Sequence, residues 1–228
     1  MTRTGFDVWS SGQGHEHHMG RWSRRIAAKF IDWVEPPADA DWLELGCGTG
    51  VLTEVVLSKA NPRSILATDQ SADFVAQAKS EIMDRRATFQ VAEASELPCP
   101  EASMGVVTSG LVFNFKPDKQ KAFAEMRRVL RPEGMAAFYV WDYPGGGMRF
   151  LDAFWKAATE LDPAARDLDE SARFPFCQPA GLAAVCTEAG APNTEIAALE
   201  DDTRFPSFGA CWYPFTLRAG LRPEMSKS

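Results

Sequence analysis

Apolar residues recur along the chain in two different periods, and segments of the two kinds alternate. Steps of three and four residues place Trp22, Ile26 and Phe30 on one face of a predicted helix, which ends at Val34 before two prolines. Short apolar runs predict five strands, at 42–45, 65–68, 88–92, 105–109 and 135–141. Helical patterns lie between these strands, at 51–59, 71–84 and 118–130.

Strands that alternate with helices at this pitch favour a parallel sheet with right-handed crossovers. We therefore expect an α/β fold of the Rossmann-like kind: a doubly wound, mostly parallel sheet with helices on both faces. The helix at 22–34 and the polar residues before it form an N-terminal helical arm in this interpretation.

A glycine-rich hinge at 144–147 interrupts the alternation after the fifth strand. The next apolar residues predict a helix over 150–158, and the stretch up to Pro179 is irregular in pattern. We interpret residues 144–180 as a helical insertion over the carboxyl ends of the strands, where open α/β sheets bind ligands. The remaining pattern predicts a helix over 180–189, a sixth strand over 194–199 and a tail rich in aromatic residues and proline.

The length of 228 residues fits one domain with a full hydrophobic core. We divide this single domain, 1–228, into four parts along the chain. They are the N-terminal arm and helix (1–38), the central core (40–143), the insertion (144–180), and a C-terminal helix, strand and tail (181–228).

Composition narrows the classes of partner. The net charge is −7, from 31 acidic and 24 basic residues, so nucleic acid is not an expected partner. No apolar run is long enough to cross a membrane, and the first residues have no apolar segment typical of a secretory signal. The five cysteines are odd in number and widely spaced, which favours reduced thiols and a cytoplasmic protein.

The chemistry concentrates in a glycine loop between the first strand and the next helix. A loop with Gly46, Gly48 and Gly50 lets the backbone approach a ligand closely and presents free N–H groups to it. Dinucleotide loops need Gly or Ala at the sixth position, and this chain has Val51 there. Glu44, at the end of the strand, would be poorly placed beside a pyrophosphate, so the loop favours a ligand with a cationic group over NAD.

The segment Glu44–Gly50 resembles motif I of the class I S-adenosylmethionine-dependent methyltransferases, in particular the type 11, ubiquinone/menaquinone-biosynthesis-like group. The resemblance implies that Asp69, at the end of the second strand, binds both ribose hydroxyls. The segment 92–98 is similar to the family's Gly-Asp-Ala-x-x-Leu-Pro, which implies that Glu93 accepts from the adenine amino group and that the Ala94 backbone faces the ring.

Further segments extend this resemblance. Ser109 and Gly110 fall where the family's backbone lines the methionine part, and 125–134 is similar to its helix-to-strand-five segment. Arg21 lies in a stretch similar to the entry helix of the group, which implies a pairing with the methionine carboxylate. The expected cofactor-binding residues are Arg21, Glu44, Gly46, Cys47, Gly48, Gly50, Asp69, Gln70, Glu93, Ala94, Ser109 and Gly110.

The resemblance also has gaps. The family closes its sheet with a seventh strand, and no second β-rich run follows residue 199, so that strand is expected to be absent or replaced by the tail. The segment Phe113–Phe115 stands where the family often has a histidine. All three histidines lie at 15–18 beside Glu16, and we expect an arm that folds over the site, with His18 as a wall residue, and no metal site.

Transfer of a methyl group from a sulfonium needs an in-line nucleophile and little else from the protein besides positioning. Asp142 and Tyr143, which follow the fifth strand, are the candidate catalytic groups because they could accept a proton from the acceptor. The expected acceptor is a small molecule, with no role for nucleic acid or membrane and no prediction of oligomeric state.

Three other classes of function stay open at this point. A non-catalytic S-adenosylmethionine-binding regulator or partner subunit would keep the cofactor residues without an acceptor pocket. An NAD-dependent oxidoreductase is disfavoured by the glycine spacing, and an RNA methyltransferase by the negative charge.

Overall fold

The computed structural model describes residues 21–116 and 118–216, apart from the side chains of 21 and 213–216. Five strands follow one another as β1 (Asp41–Leu45), β2 (Ser64–Asp69), β3 (Ala87–Val91), β4 (Met104–Gly110) and β5 (Leu130–Tyr139). The helices before and between them are α1 (Arg21–Val34), α2 (Val51–Lys59), α3 (Ala72–Glu81) and α4 (Lys119–Val129). After β5 come α5 (Arg149–Leu161), α6 (Glu170–Arg173), α7 (Pro179–Glu188) and α8 (Phe208–Thr216).

The sheet has the order β3-β2-β1-β4-β5, and every neighbouring pair is parallel. Leu43 of the central strand β1 lies opposite Leu66 of β2 on one side and Val107 of β4 on the other. The chain therefore winds outward from β1 in one direction and then returns to wind outward in the other. Ligands of doubly wound sheets bind where this direction reverses, at the carboxyl ends of β1 and β4.

Helices cover both faces of the sheet, as the sequence predicts, because successive strand residues point to opposite faces. On one face Trp42 and Val106 pack with buried residues of α1 and α2. On the other face Leu43 and Val107 pack against α4 through Met126 and its neighbours. The alternation of helices and strands along the chain is thus confirmed, and it leaves the strand ends free for a site.

The predicted sixth strand over 194–199 is wrong, because these residues are irregular and β5 hydrogen-bonds only to β4 within the described part of the chain. We call residues 194–203 the strap. Ion pairs from Arg25 (2.7 Å) and Lys29 (3.2 Å) to Asp201 hold the strap on α1. The strap consequently stays across a cavity from β5 instead of pairing with it.

Two other predictions of local structure need correction. The stretch before Pro179 is not uniformly irregular, because it contains a 3₁₀ helix over Pro163–Leu168 and the single turn α6. Asp162 caps the first of these through the N–H of Ala164 (3.0 Å), and Asp169 caps the second through the N–H of Ser171 (2.8 Å). The tail forms α8, and β5 begins at Leu130, five residues before the predicted start.

An aromatic and apolar cluster gathers beside the carboxyl end of β5. Met148, Leu151 and Trp155 pack there with Trp22 of α1, and Trp141 packs against them. The insertion and the N-terminal helix therefore meet next to the strand ends. No helix of the described residues is both long and apolar enough to cross a membrane.

The core position of Leu43 predicts a large loss of stability on truncation. Leu43 is fully buried, whereas Leu161 at the end of α5 is 89% exposed. Leu43→Ala should lower the free energy of unfolding in urea by about 2–5 kcal/mol, because it leaves a cavity in the sheet. The matched Leu161→Ala should change it by less than about 0.5 kcal/mol. Equal effects of the two substitutions would contradict the position of β1 at the centre of the core.

Candidate functional site

The glycine loop after β1 adopts the backbone that its residues predict. Gly46, Gly48 and Gly50 have φ of 71°, 53° and 90°, which is left-handed backbone that favours glycine. A Cβ atom at Gly46 would lie 2.4 Å from Val112, and one at Gly50 would lie 2.4 Å from Ile82. A Cβ at Gly48 would meet nothing within 4 Å. The loop is thus packed at its two ends and open at its centre, where a ligand can approach the backbone.

Backbone hydrogen bonds attach this loop to the end of β2. The N–H groups of Gly46 and Cys47 both donate to the carbonyl of Thr68, at 2.7 and 2.9 Å. Gly48 donates its N–H to Asp69 Oδ2 at 3.0 Å, and Ser71 donates its N–H to Asp69 Oδ1 at 2.9 Å. The Asp69 carboxylate is therefore fixed in orientation, and each oxygen keeps a lone pair for a further donor.

Glu44 lies buried beneath the glycine loop. Its side chain is 1% exposed, and Oε2 accepts a hydrogen bond of 2.6 Å from Thr53 Oγ1 on α2. Burial, with a smaller contribution from the charge of Asp69, raises the pKa of Glu44 to about 7. The carboxyl group thus titrates close to neutral pH, and its interaction with a cationic ligand group stays a prediction.

The loop after β3 is held in place by an ion pair on α4. Leu97 donates its N–H to Glu125 Oε2 at 2.8 Å, and Arg128 donates to both oxygens of Glu125 at 2.7 and 2.8 Å. Arg128 also donates to the carbonyls of Leu97 (3.1 Å) and Cys99 (2.8 Å). The hydrogen bonds from Arg128 lower the pKa of Glu125 to about 2, so the pair stays charged.

This loop presents the segment in which adenine contacts are predicted. Glu93 is exposed, Ala94 is buried, and the carbonyl of Glu93 accepts from the N–H of Glu96 at 3.0 Å. The N–H of Ala92 donates to the carbonyl of Asp69 at 3.0 Å, which places this loop beside the end of β2. The predicted ribose and adenine residues therefore occupy one region of the structure.

The carboxyl end of β4 forms the opposite side of the site. Ser109 is buried and donates its Oγ hydrogen to the carbonyl of Leu45 at 2.9 Å, which ties β4 to the start of the glycine loop. A Cβ at Gly110 would lie 2.6 Å from the phenol oxygen of Tyr139, so the ring of Tyr139 occupies the space that a side chain would take. The Tyr139 ring also packs on Phe30 of α1, with ring centroids 4.7 Å apart.

The other predicted residues occupy different surroundings. Cys47 is buried, and burial raises the pKa of its thiol, so it fills space in the loop and does not act as a thiolate. Gln70 is exposed and accepts a long hydrogen bond of 3.5 Å from Lys116. Asp142 accepts from the N–H of Gly145 at 2.7 Å, and Tyr143 packs against Phe174 with ring centroids 5.7 Å apart.

Two predictions concern residues outside this description. The side chain of Arg21 and the histidines at 15, 17 and 18 lie outside the described residues. Within the described part, no group of three or more His, Cys, Asp or Glu side chains lies together as a metal site.

Sequence reasoning missed three residues that position the site, Thr53, Arg128 and Tyr139. The spacing of Glu125 and Arg128 by three residues on one helix was a usable signal for one of them.

A parallel sheet of this order, with a glycine loop after β1 and an acid at the end of β2, is a Rossmann-like arrangement that suits a nucleoside cofactor. Residues 43–138 match the family model described as "Methyltransferase domain", so this region of the chain is similar to that family. The resemblance stated from the motifs is confirmed.

Two curated relatives are similar over the same region. A malonyl-[acyl-carrier protein] O-methyltransferase of Geobacter sulfurreducens is 30% identical over 143 residues, which are 61% of this chain and 51% of the relative. The ubiquinone/menaquinone biosynthesis C-methyltransferase UbiE of Desulfotalea psychrophila is 30% identical over 115 residues, 50% of this chain and 45% of the relative. The chain thus spans about half the length of these relatives.

A solved structure shows the same fold. It is a protein of Methanococcus maripaludis described as an S-adenosyl-L-methionine-dependent methyltransferase, with a TM-score of 0.55 and 17% identity. The match covers 75% of this chain and 79% of that one.

The buried Glu44 makes stability depend on pH. Its folded-state pKa of about 7 lies above the ordinary 4.5, so the folded protein binds more protons than the unfolded chain between these values. The stability that protonated Glu44 contributes is present in full below the pKa of the unfolded chain. It is lost as pH rises through the folded-state pKa, and the loss is about 3 kcal/mol. In urea unfolding from about pH 4 to about pH 8, Glu44→Gln should abolish this loss.

Glu81→Gln is the matched control, because Glu81 is exposed at the end of α3, where its side chain accepts a hydrogen bond from Gln77. Its stability profile should follow that of the unsubstituted protein. A Glu44→Gln profile parallel to both would show that Glu44 is not the titrating group.

Proposed function

We propose that this protein is an S-adenosylmethionine-dependent methyltransferase that moves a methyl group to a small-molecule acceptor by in-line displacement. The observation that carries the proposal is the Asp69 carboxylate, oriented by the N–H groups of Gly48 and Ser71 beside the open centre of the glycine loop. Two carboxylate oxygens with free lone pairs suit two neighbouring ribose hydroxyls. The names of the curated relatives support the same reaction class.

The residues around the loop fit the rest of this cofactor. Glu93 and the Ala94 backbone would hold the adenine, and Ser109 and Gly110 would line the methionine part. Arg21 would pair with the methionine carboxylate. The open space at Gly48 allows the close approach that a bound nucleoside needs. Cys47 and Gln70 would complete the wall. When bound, the cofactor supplies a methyl group activated on a sulfonium.

The chain's own contribution to the reaction is mainly positioning. A nucleophile held in line with the transferred methyl group needs no further activation beyond the exclusion of water. The aromatic cluster of Trp22, Trp141 and Trp155 provides an apolar surrounding next to the strand ends. Asp142 or Tyr143 would accept a proton from an acceptor that must lose one.

A non-catalytic cofactor-binding regulator is the second candidate function. The observation that favours it is the 3₁₀ helix Phe113–Phe115, whose side chains offer no titratable group at the end of β4. Cofactor binding without methyl transfer to any acceptor in a metabolite extract would support the regulator over the enzyme.

We also propose that the protein works in the cytoplasm. Cys47, Cys99, Cys177 and Cys186 are buried as free thiols, and Cys211 is free and partly exposed. Unpaired thiols in these positions suit a reducing compartment.

Calorimetric titration with S-adenosylmethionine and with NAD tests the cofactor assignment. Asp69→Asn should weaken S-adenosylmethionine binding by about tenfold to a hundredfold, because the amide leaves one ribose hydroxyl without an acceptor and the other with a neutral one. Asp73→Asn, an exposed aspartate on the first turn of α3, should leave it unchanged. Binding of NAD in place of S-adenosylmethionine would overturn the proposal.

A further inference from the structure

A large cavity runs along the side of β5 that faces away from β4. It has a volume of about 1050 Å³, and β5 lines it from Met135 onward to Asp142 beyond the strand's end. Helix α1, the strap and the start of α5 form the other walls. The volume lies just above the usual range of about 300–1,000 Å³ for small-molecule sites. The bare edge of β5 adds backbone groups that can hydrogen-bond a ligand.

Tyr139 stands between this cavity and the predicted cofactor region. Its ring lines the cavity, and its phenol oxygen lies against Gly110 at the end of β4. Burial and the nearby charge of Glu44 raise the pKa of the Tyr139 phenol, so it stays protonated. Tyr139 therefore places a neutral hydroxyl, which can donate a hydrogen bond, between the cavity and the end of β4.

The lining of the cavity is aromatic and acidic. Its aromatic side chains are Trp22, Phe30, Trp33, Phe138, Tyr139, Trp141 and Phe150. Its charged side chains are the acids Asp142, Glu195, Glu200, Asp201 and Asp202 and the bases Lys29 and Arg149. Lys29 is paired with Asp201, and Asp202 is paired with Arg204 at 2.8 Å. The remaining lining charges are three acids and Arg149, so the lining still carries an excess of negative charge.

Asp142 is the acid closest along the chain to the end of β5. Its Oδ1 accepts from the N–H of Gly145, and no Lys or Arg of the described residues forms an ion pair with it. A carboxylate on an aromatic wall attracts a cation through its own charge and through the ring faces beside it. Anionic molecules are repelled by the same lining.

We propose that the cavity beside β5 binds the methyl acceptor and that this acceptor is a largely apolar amine. The inference rests on the proposed methyl transfer and names the substrate class of that reaction. Asp142 binds the amine, and Tyr139, which lies between the cavity and Gly110, is the positioning residue.

The chemistry balances with groups that the proposal names. An amine that enters as an ammonium gives one proton to the Asp142 carboxylate. The freed lone pair on nitrogen forms the new N–C bond as the C–S bond of the sulfonium breaks, and that electron pair stays on sulfur. The product is a methylated ammonium and a neutral thioether, and the Asp142 proton passes to solvent.

Three probes with the same ring and side-chain length test the cavity without any cofactor. Tryptamine, tryptophol and indoleacetate end in an amine, a hydroxyl and a carboxylate. In calorimetric titrations at neutral pH, tryptamine should bind at least about tenfold more tightly than the other two. Asp142→Asn should remove this preference, and Asp167→Asn, an exposed aspartate outside the cavity lining, should keep it.

Mass spectrometry then tests the assignment as an acceptor site. With S-adenosylmethionine present, tryptamine should gain one methyl group on nitrogen. Tyr139→Phe should lower kcat by about tenfold while the dissociation constant of tryptamine changes less than about twofold, because only the positioning hydroxyl is lost. If kcat and the affinity for tryptamine fell by the same factor, Tyr139 would instead have a structural role in the cavity.

The outcomes separate this inference from the proposed function. Equal binding of the three probes, or an amine preference that survives Asp142→Asn, overturns the amine assignment even if S-adenosylmethionine binds. Selective binding of tryptamine without methylation, while the cofactor binds, overturns the cavity as the acceptor site. Failure of the cofactor to bind overturns the proposed function, and the probe titrations do not depend on it.

Discussion

The attachment of the glycine loop to the end of β2 is the interaction on which the site depends. The Thr68 carbonyl receives two N–H groups of the loop, and the Asp69 carboxylate receives a third. These bonds fix left-handed backbone that would otherwise be free to rearrange. They also orient Asp69 before any ligand binds. The conformational entropy of the site is therefore lost on folding, and binding of a nucleoside does not lose it again.

The order of the elements was predictable because a buried parallel strand is a short apolar run and an amphipathic helix has its own period. The structure places β1, β2, β3 and β4 within one residue of the predicted bounds. The prediction of a strand over 194–199 was wrong because strand pairing depends on contacts with residues that are distant in sequence. Residues 194–199 have a pattern compatible with a strand, but the ion pairs of Asp201 lie 176 and 172 residues away in sequence, at Arg25 and Lys29.

Some residues of the site were also predictable from the sequence, and others were not. The glycines and Asp69 were identifiable because their roles depend on backbone shape and on the ends of neighbouring strands. Thr53 and Arg128 were missed because their roles depend on side-chain contacts across the fold. The bond from Arg128 to the Leu97 carbonyl spans 31 residues, and no periodicity in the sequence records it. Tyr139 was missed because it ends a strand and resembles any other apolar core residue there.

The strap has a second consequence, for association between molecules. A bare edge strand offers a row of unpaired N–H and C=O groups to which another chain can add a strand, and this is a common route to aggregation. The strap lies across the open side of β5, and its attachment depends on Asp201, whose partners Arg25 and Lys29 are about half exposed. Salt screens these pairs only in part, because the Asp201 side chain is 7% exposed. The ion pairs that hold the strap on α1 therefore also shield the sheet from self-association, and that protection weakens in part as ionic strength rises.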